Sequence, residues 1–227
     1  MHLTGPRLTV FYDGGYFQQG QVYFRHKERR GWIKLTEFHH LLERYVAAKV
    51  DLAGDTVRVV GAHYYDGRAA AKATRSEQLV LDRDFELALI HAGITPHYLP
   101  TAEGPRGSTQ ADESRPQVIQ KGVDVQLAVD ALDLAHTKRY DVAVLVTGDA
   151  DFLPLVRRIA SLNRPVLLVY FEFDAWTDDR GATHRGTFVS RALAEASIWT
   201  LDVVRWVKEA KVHKEVDALF IPATASG

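Results

Sequence analysis

The sequence predicts an α/β fold with a doubly wound, mostly parallel central sheet that carries helices on both faces. Segments of strand character alternate with segments of helical periodicity along most of the 227 residues, which is the pattern of parallel strands joined by crossover helices. Residues 142–146 form a continuous apolar run of the type that parallel sheets bury on both sides. No repeat or change of composition marks a boundary, so we predict one domain over residues 1–207 and a mobile tail over 208–227.

The strands are predicted from short β-rich apolar runs that end near glycine, proline or aspartate. They cover residues 8–12, 56–65, 94–99, 142–146, 165–170 and, as an edge strand, 198–201. The first run ends at Asp13-Gly14-Gly15, where we expect a loop.

The helices are predicted from apolar residues that recur at spacings of three and four. They cover residues 33–50, about 75–91, 121–136, a segment that begins after Asp151, and 188–196. Thr36 and Asp151 are predicted N-caps, Pro154 is tolerated in the first turn that follows Asp151, and Gly93 ends the second helix. Residues 100–117 have no periodicity, and we expect them to be disordered.

Composition excludes several classes of protein. The chain has no cysteine, which excludes disulfides, thiol nucleophiles and cysteine-ligated zinc. Its net charge is −1, so any binding of nucleic acid depends on a local basic surface or on a metal ion. No apolar run approaches the roughly 20 residues that cross a bilayer, and the first residues lack the pattern of a secretory signal. We therefore expect a cytoplasmic protein with no membrane contact.

Aspartates follow two of the predicted strands, at the edge of the sheet where such folds bind their ligands. Asp13 follows the first strand, and Asp149 and Asp151 follow the strand at residues 142–146. One aspartate at a strand end is common, because aspartate suits turns and helix caps. Several together repel one another unless a cation lies between them. Oxygen ligands without cysteine favour Mg²⁺ or Mn²⁺ at this edge.

Asp124 is a further candidate, in the first turn of the helix predicted at residues 121–136. A carboxylate at that position also stabilises the helix dipole, which explains the residue at least as well when the segment is considered alone. Asp130 lies six residues later, about 120° around the helix from Asp124. We therefore expect Asp130 to lie on the surface or to support the site indirectly.

Three segments resemble the motifs of the NYN domain, in the LabA-like branch of the PIN-like nuclease group. They are FYDGGYF, KGVDVQLAVDAL and LVTGDADFLPLVRRI, in the order and spacing of that family, and the resemblance runs from about Leu8 to Leu201. It implies a PIN-like three-layer α/β/α sandwich that holds one or two Mg²⁺ or Mn²⁺ ions and hydrolyses RNA. The metal-binding and catalytic residues that it implies are Asp13, Asp124 and Asp149, with Asp151 close by and acting through water.

The chain departs from that family at Tyr16, where the first motif is often written DGxN and has asparagine. The asparagine would orient the acidic site or the scissile phosphate, so tyrosine changes phosphate handling without removing a metal ligand. This departure keeps a second hypothesis open, an RNA-binding or scaffold protein with an acidic pocket but weak or no turnover. A phosphoryl-transfer enzyme is disfavoured, because the chain lacks DxDx[TV] and GxxxxGK[ST] motifs.

Substrate contacts are predicted near the acidic residues. Residues 16–30 combine aromatic and basic side chains, as proteins that hold single-stranded RNA do, although a core-facing aromatic stripe with a solvated basic end fits equally well. The candidates are Tyr16, Arg25, Thr147 and Lys121, of which Lys121 is the best candidate for a phosphate contact. Thr147 could instead be an ordinary turn residue. The oligomeric state stays open, and a homodimer is compatible with the sequence.

Overall fold

The structure is a computed structural model, and the statements that follow concern the residues it describes. These are residues 5–53, 56–68, 76–100, 102–103, 118–119, 122–179, 181–210 and 213–222. The candidate phosphate contact Lys121 lies outside the described residues. So do residues 101 and 104–117 of the segment for which we expect disorder.

A six-stranded sheet forms the centre of the fold, and all of its strands are parallel. The strands are β1 Arg7–Asp13, β3 Arg58–Arg68, β4 Thr95–Pro100, β7 Val142–Val146, β8 Val166–Tyr170 and β11 Trp199–Asp202. Their order across the sheet is β11-β8-β7-β1-β3-β4, so β1 lies between β7 and β3 near the middle. The predicted edge strand pairs with β8 as β11.

Short strands form three further pairs, all antiparallel. They are β2 Trp32–Ile33 with β12 Phe220–Ile221, β5 Ala102–Glu103 with β6 Val118–Ile119, and β9 Trp176–Thr177 with β10 Thr183–His184.

The connections between the strands are mostly helical. The helices are α1 Gly14–Val22, α2 Leu35–Lys49, α3 Ser76–His91, α4 Val123–His136, α5 Leu153–Ser161, α6 Arg191–Ala196, α7 Val203–Glu209 and α8 His213–Ala218. A π-helical turn over Tyr23–Lys27 continues α1, and a 3₁₀ turn over Ala150–Phe152 precedes α5. Within the described part of the chain, no helix has the length and apolar character that a bilayer crossing requires.

Two apolar cores lie on opposite faces of the sheet, because successive side chains of a strand point to opposite sides. In β7, Val142, Val144 and Val146 join the core that includes α1, α2 and α7. Ala143 and Leu145 join the other core, with α4, α5 and α6. This arrangement confirms the predicted α/β fold, a three-layer sandwich with a parallel central sheet.

The chain forms helix α1 directly after β1, where the Asp13-Gly14-Gly15 sequence predicts a loop. The Asp13 side chain caps this helix and accepts a hydrogen bond from the Tyr16 main-chain N–H. Gly14 is required by packing, since a Cβ there would lie 2.5 Å from the carbonyl oxygen of Tyr65. In the aromatic stripe that follows, Phe17 and Phe24 are buried in the core, so the core interpretation holds for them.

Part of the segment for which the sequence predicts a mobile tail is folded. Helix α8 buries Val216, and β12 buries Phe220 and pairs with β2. These elements are too short to show periodicity in the sequence, and they depend on residues far away in the chain for their burial. The predicted N-cap Thr36 is wrong, because α2 begins at Leu35 with the extended Lys34 as its N-cap residue, whose N–H donates a hydrogen bond of 2.8 Å to Leu219 O.

Candidate active site

The candidate site is an open cavity of about 410 Å³ at the carboxyl ends of β1 and β7. These strands are neighbours, with Tyr12 paired to Val146, so the residues that follow them meet at one edge of the sheet. The cavity is lined by Asp13, Gly15, Tyr16, Gln19, Asp124, Gly148, Asp149, Gly186, Thr187 and Phe188. Three of the four predicted aspartates therefore face one cavity, whereas Asp151 does not line it.

Asp13 is the most enclosed of these carboxylates. Its Oδ1 accepts a hydrogen bond of 3.2 Å from Tyr16 N, and its Oδ2 accepts one of 2.8 Å from Thr147 Oγ1. Burial raises the pKa of Asp13 to about 6, the two hydrogen bonds oppose this rise, and the nearby charges of Asp124 and Asp149 add to it. Asp13 is thus held in one orientation at a place where its negative charge is costly.

Thr147 forms hydrogen bonds with two of the candidate aspartates. Its side chain is fully buried, donates to Asp13, and accepts a hydrogen bond of 3.2 Å from Asp149 N. It therefore connects the ends of β1 and β7 through a single hydroxyl. Of the alternatives that the sequence allows, the structure places Thr147 against a candidate metal ligand.

Asp149 and Asp151 have different positions. Oδ1 of Asp149 accepts a hydrogen bond of 2.9 Å from Asp151 N, so Asp149 is the N-cap of the 3₁₀ turn that leads into α5. The sequence-based assignment of this cap to Asp151 is wrong, because the turn begins two residues earlier than predicted. Asp151 is exposed within the turn, and Pro154 lies in the first turn of α5 as predicted.

Asp124 reaches the cavity from the first turn of α4, which begins after Gly122 with a positive φ of 86°. Burial raises the pKa of Asp124, and the charges of Asp149 and Asp151 raise it further. Helix α4 thus presents Asp124 to the same cavity that Asp149 lines. Asp130 points elsewhere, accepting hydrogen bonds from Tyr65 Oη and Gln126 Nε2.

The negative charges of the site are not balanced by protein cations among the described residues, since none of the four aspartates forms an ion pair there. Within the same residues, no three histidine or acidic side chains are arranged to hold a metal ion by themselves. Mg²⁺ commonly binds through one or two carboxylates and fills its other positions with water or substrate phosphate. The oxygen donors fit an ion of that kind and do not form a closed protein cage.

Known proteins resemble this chain in sequence and in fold. The NYN domain family model matches residues 7–185, which include β1, α4, β7 and their aspartates. The chain belongs to the NYN domain family. NYN domains have a PIN-like nuclease fold, in keeping with the parallel sheet described above.

Two individual proteins are similar to this NYN chain. An uncharacterized protein of Methanocaldococcus jannaschii is 37% identical over 54 residues, which are 24% of this chain and 22% of that protein. The chain therefore matches about a fifth of the length of that relative. The crystal structure of a protein of unknown function from Vibrio parahaemolyticus superposes with a TM-score of 0.53 at 20% identity, covering 89% of this chain and 96% of that one. This likeness concerns the fold alone.

Tyr16 stands where the NYN pattern often has asparagine, and its side chain has a structural role. Its hydroxyl accepts a hydrogen bond of 2.9 Å from Phe171 N and donates one of 3.1 Å to Phe171 O, while Thr187 Oγ1 donates to the same carbonyl. Burial raises the pKa of Tyr16 well above its usual range. The ring leaves little space at Gly148, where a Cβ would lie 2.9 Å from it. Tyr16 therefore joins α1 to the end of β8.

The predicted substrate contact Arg25 and Phe188, which was not predicted as a contact, differ in their position relative to the cavity. Arg25 does not line the acidic cavity, and its guanidinium lies 4.6 Å above the centre of the Trp32 ring. Phe188, which the sequence analysis placed only at the start of a helix, lines the cavity with 64% of its surface exposed. An exposed phenylalanine can stack on a base, but its sequence context shows no signal of that role.

Proposed function

We propose that this protein is a ribonuclease that uses Mg²⁺ or Mn²⁺, one or two ions, to hydrolyse phosphodiester bonds of RNA. The observation that carries the proposal is that Asp13, Asp124 and Asp149 come from three separate elements to one cavity, where no cationic side chain of the described residues pairs with them. Membership of a family with a PIN-like nuclease fold supports the same chemistry. The LabA-like branch stays a prediction from the motifs.

The roles of the residues follow from their surroundings. Asp13 is fixed by Thr147 and Tyr16 and would present one ordered carboxylate to a divalent cation. Asp149 and Asp124 are more exposed and would contribute directly or through water, with Asp151 behind them. The bound cation supplies Lewis acidity and lowers the pKa of water, so that no histidine base is needed.

Single-stranded RNA is the proposed substrate. The cavity is open, and Phe188 presents an exposed ring beside the carboxylates, where a base next to the scissile phosphate could stack. Among the described residues that line this cavity there is no lysine or arginine. Of the groups that the structure describes, none would neutralise the phosphate, so a bound metal ion would hold it.

The second candidate is an RNA-binding or scaffold protein of the same fold with little or no turnover. Tyr16 favours this second candidate, because its hydroxyl is hydrogen-bonded to the main chain of Phe171 and it has no amide to offer to the phosphate. The two candidates predict the same binding and differ in cleavage.

The experiment that tests the proposal incubates the full chain with labelled single-stranded RNA in Mg²⁺, in Mn²⁺ and in EDTA. Asp149→Asn removes one carboxylate of the cavity, and Asp133→Asn, exposed on α4 away from it, is the matched control. We expect metal-dependent cleavage that Asp149→Asn lowers by about 100-fold or more and that Asp133→Asn leaves intact. Cleavage that persists in EDTA and in Asp149→Asn would contradict the mechanism, and binding without cleavage would support the second candidate.

A further inference from the structure

A second and larger cavity, of about 870 Å³, lies on the other side of α1. Its walls come from α1, β2, the start of α2, the end of β3, α3 and β4. The consecutive residues Gln18 and Gln19 separate the two cavities, since Gln18 lines the larger one and Gln19 the acidic one. Both cavities therefore open at the carboxyl edge of the same sheet, where folds of this kind bind ligands.

Aromatic rings form much of the wall of this cavity. Trp32, Tyr64, Phe85 and Tyr98 line it, and Phe85 packs edge-on against Tyr64 with 5.4 Å between ring centres. The guanidinium of Arg68 lies 3.6 Å above the centre of the Tyr98 ring and fixes that ring from one side. Walls of this kind favour flat ligands that stack.

Two polar groups have defined positions among these rings. Gln21 is only 3% exposed, and its Oε1 accepts a hydrogen bond of 2.7 Å from Ile33 N. Gln21 lines the cavity, and its Nε2 makes no hydrogen bond to the described residues, so this donor is available to a ligand there. Nearby, Tyr64 Oη donates to Asp66 Oδ2 at 3.0 Å. The lining thus combines the N–H donor of Gln21 with the acceptor carboxylate of Asp66.

The charges of the lining disfavour an anionic ligand. Its two basic side chains are each engaged by a glutamate, Lys34 by Glu37 at 3.4 Å and Arg68 by Glu86 at 2.8 Å. Three aspartates line the same cavity, namely Asp66, Asp82 and Asp84. A phosphate or a fatty-acid carboxylate in this cavity would lie near these carboxylates, whereas an uncharged ring would bring no like charge toward them.

We propose that this cavity binds a nucleobase, stacked between the aromatic walls, with Gln21 Nε2 donating a hydrogen bond to an acceptor on its edge. The ring is the base of a free nucleoside or of an RNA strand that also occupies the acidic cavity. The RNA strand as a source rests on the proposed ribonuclease function, whereas the free nucleoside does not. If the base belongs to an RNA strand, the base enters the larger cavity. The phosphates of that strand stay outside this cavity, away from Asp66, Asp82 and Asp84.

The test measures binding of adenosine, guanosine, cytidine and uridine, and of a labelled single-stranded RNA in EDTA, to the full chain. Ala88→Trp fills the cavity from an exposed position of α3, and Ile90→Trp adds the same ring to that helix outside the cavity. Gln21→Glu keeps the acceptor for Ile33 N and removes the donor. We expect Ala88→Trp and Gln21→Glu to weaken binding at least tenfold, and Ile90→Trp to change it less than twofold.

The outcomes separate the two sources. If nucleosides bind and Ala88→Trp abolishes this binding, the result supports a free nucleoside as the ligand. If no nucleoside binds but Ala88→Trp weakens RNA binding, the result supports an RNA strand. If no nucleoside binds and Ala88→Trp leaves RNA affinity unchanged, the proposal is overturned. RNA cleavage enters neither readout, so a failure of the ribonuclease proposal would leave this result unaffected.

Discussion

Thr147 Oγ1 donates a hydrogen bond of 2.8 Å to Oδ2 of Asp13, and this contact joins two strand ends that are 134 residues apart in the sequence. The hydroxyl is fully buried, so it has no competing water and holds the carboxylate in one rotamer. A site that depends on the direction of a single carboxylate should respond sharply to the loss of this donor.

We predict that Thr147→Val impairs both stability and cleavage, whereas Thr147→Ser preserves most of each. Valine fills the same space but leaves Asp13 and Asp149 N without their shared partner. A hydrogen bond to a charged group contributes about 2 kcal/mol to the free energy of unfolding. Urea unfolding and the RNA cleavage assay measure the two effects. Equal behaviour of the valine and serine variants would contradict the role given to the hydroxyl.

Asp13→Asn should make the metal-free protein more stable at neutral pH. The folded-state pKa of about 6 lies above the reference value of 3.8, so the folded protein holds this proton more tightly than the unfolded chain does. Charging Asp13 therefore costs stability as pH rises from about 4 to about 6, and the full cost above that window is about 3 kcal/mol. Asparagine loses one of the two acceptor oxygens that Tyr16 N and Thr147 Oγ1 use, which is a cost at every pH, so the prediction is that its stability relative to the parent rises by about 3 kcal/mol between pH 4 and pH 7.

The difference in stability between these two proteins is the quantity to measure, because three histidines, His39, His63 and His97, also make the stability of both proteins depend on pH. Burial lowers the pKa of each, to about 4 for His39, so their contribution to stability is lost as pH falls through their unfolded-state value. Urea unfolding in EDTA at several pH values provides this difference. A gap between Asp13→Asn and the parent that stayed constant from pH 4 to pH 7 would refute the burial of the charge.

Asp124→Asn should reduce the stabilisation that Mn²⁺ gives to the protein. A cation that binds only the folded state raises its melting temperature with concentration, and Asp124 faces the same cavity as Asp149. We expect a smaller rise in melting temperature with Mn²⁺ for Asp124→Asn than for Asp133→Asn on the same helix. Identical Mn²⁺ responses would leave helix-dipole stabilisation as the role of Asp124.

Tyr16→Phe should destabilise the protein by about 2 kcal/mol, because it leaves the buried N–H of Phe171 without an acceptor. Tyr140→Phe is the matched control: its hydroxyl donates to Ala131 O, a carbonyl within α4 that already accepts a helical hydrogen bond. The control should cost less. Chemical unfolding of the two variants compares them, and equal losses would argue against Tyr16 as the link between α1 and β8.

The strands of this fold are well predicted from the sequence, because a short apolar run such as residues 142–146 indicates a strand whichever strands it pairs with. It also places Asp13 and Asp149 at strand ends. That β1 and β7 are neighbours, however, is a property of strand order, which local patterns do not encode. Whether Asp124 faces the same cavity as Asp149 likewise depends on how α4 packs. The sequence alone therefore leaves Asp124 open to two explanations, a metal ligand or a carboxylate that stabilises the helix dipole.

The features that sequence reasoning missed depend on tertiary contacts. The Asp13-Gly14-Gly15 segment has the composition of a loop, yet Gly14 begins a helix because its backbone closely approaches Tyr65. Helix α8 and strand β12 have too few residues for a pattern and are ordered by contact with β2. Phe188 has no special sequence context, and only the arrangement of the cavity places its ring at the rim.

The position of β1 between β3 and β7 also has a consequence for the growing polypeptide. During synthesis β1 can pair with β3 before β7 has been made, because Thr147 follows Asp13 by 134 residues. Until then Asp13 has neither its hydrogen-bond donor nor its acidic neighbours. The acidic cavity can therefore assemble only once β7 has been synthesised and has paired with β1.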